Sequence, residues 1–380
     1  MKKISKVLLT SVACAGIVTS LASCNQSGED ETIKIGLVMY MWNDNQGKEI
    51  QSYCDYLSKN LPLEFQYEST YYNDDAHLQC VENLISSGCN AIIAGYDTSL
   101  ASAVDTCSQN QVYYTVSLDY VSQSDFGQVK PSEYFLGGTT QFGGNTQGLG
   151  EAYAEIVNAQ NVSNVCGVSF PAWAFSDGPT VYSGFTSKLK SLNSKAEVAE
   201  LKCAAGFDQN SVQAATNEAL QNSPNAQAIF GLASGLDFVY PIIQNSNVKL
   251  ISLGYNDSVK SLFESNKLVA AGTNNQTQAI ASCIARIVNA KYGDKYSDQD
   301  SGIYNIDSIV NGVCGYPIMS SASEVDDYTT YVYTNDMSKG SVTAEELKNV
   351  IIHYNSNATL NDLNKLTNRT LKEIKAARLA

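Results

Sequence analysis

Residues 33–46 read IKIGLVMYMWNDNQ, and residues 165–178 read VCGVSFPAWAFSDG. Each stretch opens as a short apolar, β-branched run and breaks at polar, turn-forming residues, the pattern of a buried parallel strand that delivers a loop at its carboxyl end. Each loop carries one tryptophan, and Trp42 and Trp173 are the only two in 380 residues. Open α/β sheets take their ligands outside the carboxyl ends of their strands. The pair therefore predicts two lobes, each presenting one tryptophan to a shared cleft.

Outward from these stretches, strand and helix alternate. A helix over 47–61 places Ile50, Cys54, Leu57 and Leu61 on one face, with Pro62 closing it. A strand follows over 63–70, then a helix opened by Asp74 and Asp75 with Gly88 as its cap. Strands over 90–94 and 111–118 flank a helix over 99–108. The polar stretch 122–133, with Gly127 and Pro131, predicts the first crossover between lobes. Beyond a strand at 134–137 and a helix at 143–158 the pattern restarts: strands at 165–170, 196–203, 227–231 and 249–253 are separated by helices at 180–192, 210–221 and from Leu236. A strand at 269–273 leads into a helix at 277–291. Residues 328–333 read as an extra strand, Thr343-Ala-Glu-Glu346 is a capping-box pattern, and 361–380 reads as a largely solvated helix. The fold class is α/β, two Rossmann-like lobes built on parallel sheets.

The first 23 residues read as a secretory signal: Lys2, Lys3 and Lys6 precede an apolar run too short for a membrane span. Residues 24–32 are polar and read as a tether. The leader holds three lysines and no acid, so the remainder carries −17 against −14 for the whole chain. That balance argues against nucleic acid or anionic lipid as a partner. Eight cysteines beyond Cys14 and Cys24 show no CxxC spacing, and with only His77 and His353 as imidazoles no metal pattern emerges. Most stand at apolar-face positions and are expected as free, buried thiols.

Several signatures, in order, resemble the type 1 periplasmic binding protein superfamily, in particular the sugar-binding lipoproteins of ABC importers. They are Leu21-Ala22-Ser23-Cys24, which resembles a lipobox; IKIGLVM from Ile33; SSGCNAIIAGYDT from Ser86; TVSLDY from Thr115; VYSGFTSKL from Val181; AIFGLASG from Ala228; and LISLGYND from Leu250. The resemblance covers about residues 33–292 and implies a three-strand hinge between the lobes, a lobe made of 33–121 and 275–310, and a second made of 122–274 and 311–380. It implies lipidation of Cys24, a location outside the cytoplasmic membrane held by that lipid, an ABC permease as partner, a small sugar or sugar-like ligand, no cofactor and a monomer. It also implies that Asp97 and Asp119 grip ligand from the first lobe, with Asn256 and Asn275 at the positions of a second-lobe acid and a hinge amide. Arginines that many members place after the Asp119 position and before the 181–189 helix are absent, and an Asn-Asp pair is replaced by Ala233-Ser234. Alternatives within the same fold are a nucleoside- or purine-binding lipoprotein and a ligand-presenting sensor.

A sugar offers an apolar ring face and a rim of hydroxyls. Trp42, Trp173, Phe175 and Phe207 are candidate plates for the face. Asp44, Asp97, Asp177, Asn256 and Asn275 are candidates for the rim, because carboxylates and amides make paired hydrogen bonds. Loop aspartates also cap helices, and that competing role is expected most strongly for Asp44, Asp74 and Asp177. No GxGxxG, GxxxxGK[ST] or nucleophile-elbow motif is present, so the chain does not read as an enzyme.

Overall fold

The computed structural model describes residues 31–380 except 72, 97, 118–128, 130–131, 142–144, 173–174, 297–304 and 307–308. The first sheet begins with β1 (Ile33–Met39), followed by helix α1 (Asn45–Ser58), β2 (Leu63–Ser69), α2 (His77–Ser86), β3 (Ala91–Ala94), α3 (Leu100–Gln109), β4 (Tyr113–Val116) and β5 (Phe135–Gln141). The second sheet follows: α4 (Thr146–Ala159), β6 (Asn164–Ser169), α5 (Gly178–Leu192), β7 (Glu197–Cys203), α6 (Gln209–Gln221), β8 (Ala228–Leu232), α7 (Tyr240–Ile243), β9 (Lys249–Leu253), α8 (Val259–Glu264) and β10 (Leu268–Gly272). Then come α9 (Gln276–Tyr292), the small hairpin β11 (Asn305–Ile306) and β12 (Ile309–Val310), β13 (Gly312–Cys314) and β14 (Ile318–Met319). The chain closes with α10 (Ala322–Tyr331), α11 (Ala344–Asn349), α12 (Leu360–Thr367) and α13 (Leu371–Leu379).

The first sheet runs β13-β5-β4-β3-β1-β2 with every pairing parallel. The second runs β14-β10-β9-β8-β6-β7, parallel except for β14 against β10. Both are sandwiched by helices. On β1, Ile33, Ile35, Leu37 and Met39 enter one core with α1, α9, α11 and α12, while Val38 enters the other with α2 and α3. In the second lobe Val165, Phe230 and Ile251 pack under α4 and α5, and Cys166, Val168 and Ile229 pack under α6, α8 and α10. A strand covered on both faces must be apolar at odd and even positions alike, which is why these runs lack clean alternation.

Two expected boundaries differ. The segment 122–133 does not cross between lobes, because β5 after it pairs with β4 of the first sheet; the crossing follows β5, and α4 packs on α5. The segment 311–380 does not belong to one lobe either. Strand β13 pairs with β5, and α11 and α12 contribute Leu347, Leu360 and Leu363 to the first core, while α10 and α13 contribute Tyr328 and Ile374 to the second. The chain therefore passes between sheets around residues 141–146, 272–276, 314–318, 331–342 and 367–371. The three crossings the resemblance implies are joined by two more.

These crossings are laced together. The Gly315 amide donates to Thr367 O at 2.9 Å and to Gln278 Oε1 at 2.8 Å, and its carbonyl accepts from Asn275 N at 3.1 Å. Gln278 Nε2 donates to Arg369 O at 3.0 Å. A side chain at 315 would strike the Gln278 amide and the Arg369 carbonyl, so glycine is required by space. Close by, Glu346 on α11 is held by Arg369 at 2.8 Å and by Arg378 on α13 at 2.5 Å, tying the two lobes through the end of the chain.

Residues 328–333 form no strand. Tyr328 lies in α10, which Ser321 caps by accepting from Glu324 N, so tertiary packing overrides the β-like YTTYVY alternation. The Thr343–Glu346 capping box is present. Among the described residues the eight cysteines are free thiols, seven buried and Cys203 exposed.

Candidate functional site

Because the chain leaves β5, β10 and β13 at their carboxyl ends to cross, the carboxyl ends of both sheets face the divide between lobes. At the end of β1, Asp44 caps α1, its Oδ1 accepting from Gly47 N at 2.7 Å. The half-buried Trp42 donates its indole N–H to Glu68 O at 2.9 Å and sets its ring edge-on to Tyr67 at 4.8 Å. Its polar edge is thus fixed to the edge strand β2. Beside it, Tyr40 and Tyr96 from the ends of β1 and β3 stack at 4.8 Å, and Gln46 Nε2 donates to the Tyr96 hydroxyl at 3.2 Å.

In the second lobe, Asp177 precedes α5 without making a cap bond, and partial loss of its hydration raises its carboxyl above its ordinary value. Phe175 packs at the margin of the core against Gly178. Phe207 is 56 % exposed and lies on Phe170 at 4.2 Å. At the end of β8, Ala233 adopts a left-handed φ of 59° and is followed by a π turn over Gly235–Val239. Non-glycine residues reach that region only at a conformational cost, and such strain collects at ligand sites. Asn256 after β9 donates to Asp237 Oδ1 at 2.8 Å and accepts from Ser258 N at 3.0 Å. Asn275 is fully buried as the cap of α9, accepting from Gln278 N at 3.1 Å and donating to Ser341 Oγ at 2.9 Å. Both ends of that amide are engaged within the protein, so its place is in the crossing and not on an open wall.

The lobes meet around groups that sequence reasoning missed. Glu49 on α1, 5 % exposed, accepts from the backbone of Thr277 and Gln276 at the start of α9 and from Thr277 Oγ1 at 3.5 Å. Burial outweighs these bonds and pushes its carboxyl up to about 8. Across the divide, Tyr255 approaches Tyr328 at 4.8 Å and Tyr333 at 6.2 Å. The Tyr333 hydroxyl is raised by partial burial and then by Asp257 of the second lobe and Glu49 and Asp44 of the first. The available signal was that Tyr40, Tyr96 and Tyr255 each stand within two residues of a strand end. Asp97, Asp119, Trp173 and Cys24 lie outside the described residues. Neither histidine joins the site: His77 is buried beside Ser99 Oγ at 2.9 Å, and His353 stacks on Tyr292 at 3.6 Å.

No family model and no curated protein matches this sequence. Solved structures do match its fold. An arabinose-binding protein from Geobacillus stearothermophilus superposes with a TM-score of 0.62 at 17% identity, over 77% of this chain and 98% of the other. A sugar ABC transport substrate-binding protein from Bordetella parapertussis 12822 gives 0.61 at 13% identity, over 80% and 93%. A periplasmic solute-binding protein from Actinobacillus succinogenes 130z with bound D-allose gives 0.61 at 12% identity, over 78% and 100%. With two parallel sheets, helices on every face and carboxyl ends turned toward one divide, this chain has the fold of the type 1 periplasmic binding proteins.

Proposed function

We propose that the chain is an extracytoplasmic solute-binding lipoprotein that captures a small sugar or sugar-like ligand between its lobes and hands it to an ABC permease. The observation that supports this reading is that both parallel sheets turn the carboxyl ends of their strands toward one divide, where Tyr255 packs on Tyr328 at 4.8 Å and on Tyr333 at 6.2 Å. Open α/β sheets take their ligands outside the carboxyl ends of their strands, which is where these aromatic residues stand. Hinged lobes that close on a ligand are the documented behaviour of periplasmic binding proteins. The neighbours above are sugar-binding proteins by description, which supports a sugar as the ligand class. Cys24 would carry the lipid, Asp97 and Asp119 the first-lobe grips, and Trp173 the second-lobe plate. The chain does no chemistry in this reading; it binds, closes and releases.

Calorimetry against a panel of sugars and nucleosides tests it, together with intrinsic fluorescence. Binding of a sugar with a change in tryptophan emission is the expected result. Tight nucleoside binding with no sugar binding would overturn the sugar reading.

A further inference from the structure

A groove of about 980 Å³ lies where two of the crossings meet the second lobe. It is lined by the crossing from Gly315 to Ile318, by residues 368–370 of the last crossing, and by one face each of α10 and α13. None of the residues described around Trp42, Tyr96, Tyr255 or Asn256 lines it, so it is a different cavity from the opening at the strand ends. On α13, Leu371, Lys375 and Leu379 follow one another at i, i+4 and i+8, with Lys372 and Ala376 beside them. One stripe of that helix therefore borders the groove from end to end. At about 1.5 Å per residue the stripe is about 12 Å long, about the span of an extended ten-carbon chain.

The groove is mainly hydrocarbon. Tyr316 gives its hydroxyl to Gly272 O at 3.0 Å, and Pro317, Ile318, Leu371 and Leu379 have no polar side-chain atom. Leu379 is 69 % exposed, which is ordinary for a lone leucine but here extends a stripe that already lines a cavity. Charge then selects the occupant. The lining holds three cations, Arg369, Lys372 and Lys375, against the carboxylates of Glu324 and Asp327, in a chain where acids outnumber bases 38 to 24. Arg369 is engaged by Glu346 at 2.8 Å, Lys375 by Asp327 at 2.8 Å, and Glu324 accepts from Ser320 N at 2.6 Å. Among the described residues Lys372 is exposed and makes no ion pair or hydrogen bond, so the lining charge left open to a ligand is positive.

We propose that this groove binds a medium-chain aliphatic carboxylate, its chain laid along α13 against Tyr316, Ile318, Leu371 and Leu379 and its carboxylate on the Lys372 ammonium. Burial of the chain supplies most of the affinity, and Lys372 sets the sign of the charge that is accepted. Because the occupant touches two crossings at once, it braces segments that join the lobes.

Calorimetry on the whole protein at pH 7 with decanoate, octanoate and decylammonium, each below its micelle-forming concentration, tests it. Decanoate is expected to fill one site and to bind about tenfold more tightly than octanoate, since two buried methylenes are worth about a decade. Hydrogen exchange should slow at Gly315 and along Leu371–Leu379. Lys372→Glu should reverse the order of decanoate and decylammonium, and Leu379→Ser should weaken decanoate about tenfold. Both side chains are exposed, and unchanged circular dichroism shows the variants folded. Leu192→Ser, at an exposed leucine on α5, should leave binding as it was. No saturable decanoate binding, a wild-type preference for decylammonium, or decanoate affinity untouched by both groove variants overturns the proposal. Self-association abolished by Leu379→Ser, without decanoate binding, overturns it as well and gives the groove to a second copy of the chain.

Discussion

Replacing Glu49 by glutamine isolates the ionisation of a carboxyl buried where the lobes meet. Two effects compete at that position. Burial disfavours the charged form, while the amides of Thr277 and Gln276 and the Thr277 hydroxyl favour it. Burial prevails, and the carboxyl moves from an ordinary 4.5 to about 8. A group raised in the fold contributes its full stability below the unfolded value and loses it as pH rises through the folded one. The relevant window is therefore pH 4.5 to 8. At about 1.4 kcal/mol per unit, wild-type stability should fall by roughly 3 kcal/mol from this group alone between pH 4.5 and 7. Glutamine keeps the size and the acceptor and cannot ionise. Urea unfolding of both proteins at pH 5, 6, 7 and 8 gives the difference in stability at each point. The glutamine variant should gain on wild type steadily across the series. A difference that stays flat with pH would mean that Glu49 ionises normally inside the fold and that the helix start, not burial, controls it.

Three further outcomes follow from the lacing of the crossings. Glu346→Gln should destabilise by about 1.5–3 kcal/mol, because two half-buried guanidinium partners lose their counter-charge. In wild type, burial alone would raise the Glu346 carboxyl, but Arg378 and Arg369 hold it at about 2, so its contribution is present above pH 4.5 and is lost as pH falls toward 2; acid unfolding of wild type and variant should converge there. Gly315→Ala should destabilise by about 1–3 kcal/mol through displacement of Gln278 and the Arg369 carbonyl, and faster amide exchange at Asn275 and Gly315 would report it. Trp42→Phe removes one indole bond to Glu68 and should cost about 1 kcal/mol in chemical unfolding, with no loss expected if the ring merely rests on the surface.

Much of the fold was legible because its signals are local. The runs at Ile33 and Val165, the cap at Thr343, and the glycine at 88 with φ of 83° each specify structure within a few residues. Lobe membership was not legible in the same way. Nothing within residues 135–141 distinguishes pairing with β4 from pairing with β6, because that choice is made by neighbours far along the chain. The glycines at 137 and 138 also weaken the strand signal itself. At the site, Trp42 and Asp44 stand where a strand end and loop predict, but the indole bond to Glu68 and the capping bond to Gly47 depend on backbone groups that sequence does not display. Asn275 illustrates the same point: an amide in a polar run reads as a grip, and only its bonds to Gln278 N and to Ser341 Oγ show a buried cap. Glu49 was hidden because a glutamate on a helix is nearly always solvated, and its burial is imposed by α9 from more than two hundred positions away.

The late crossings bear on how the protein can be made. The first lobe needs α9, α11 and α12, and the second needs β14, α10 and α13, so neither hydrophobic core is complete until the last few dozen residues exist. A chain of this kind cannot finish one domain while the other is still being synthesised, which is how multidomain proteins usually proceed. A fragment ending at residue 141 would leave bare the sheet face that α9 and α12 cover, and would be expected to aggregate. The two lobes are therefore one unit in assembly, although they are two in architecture.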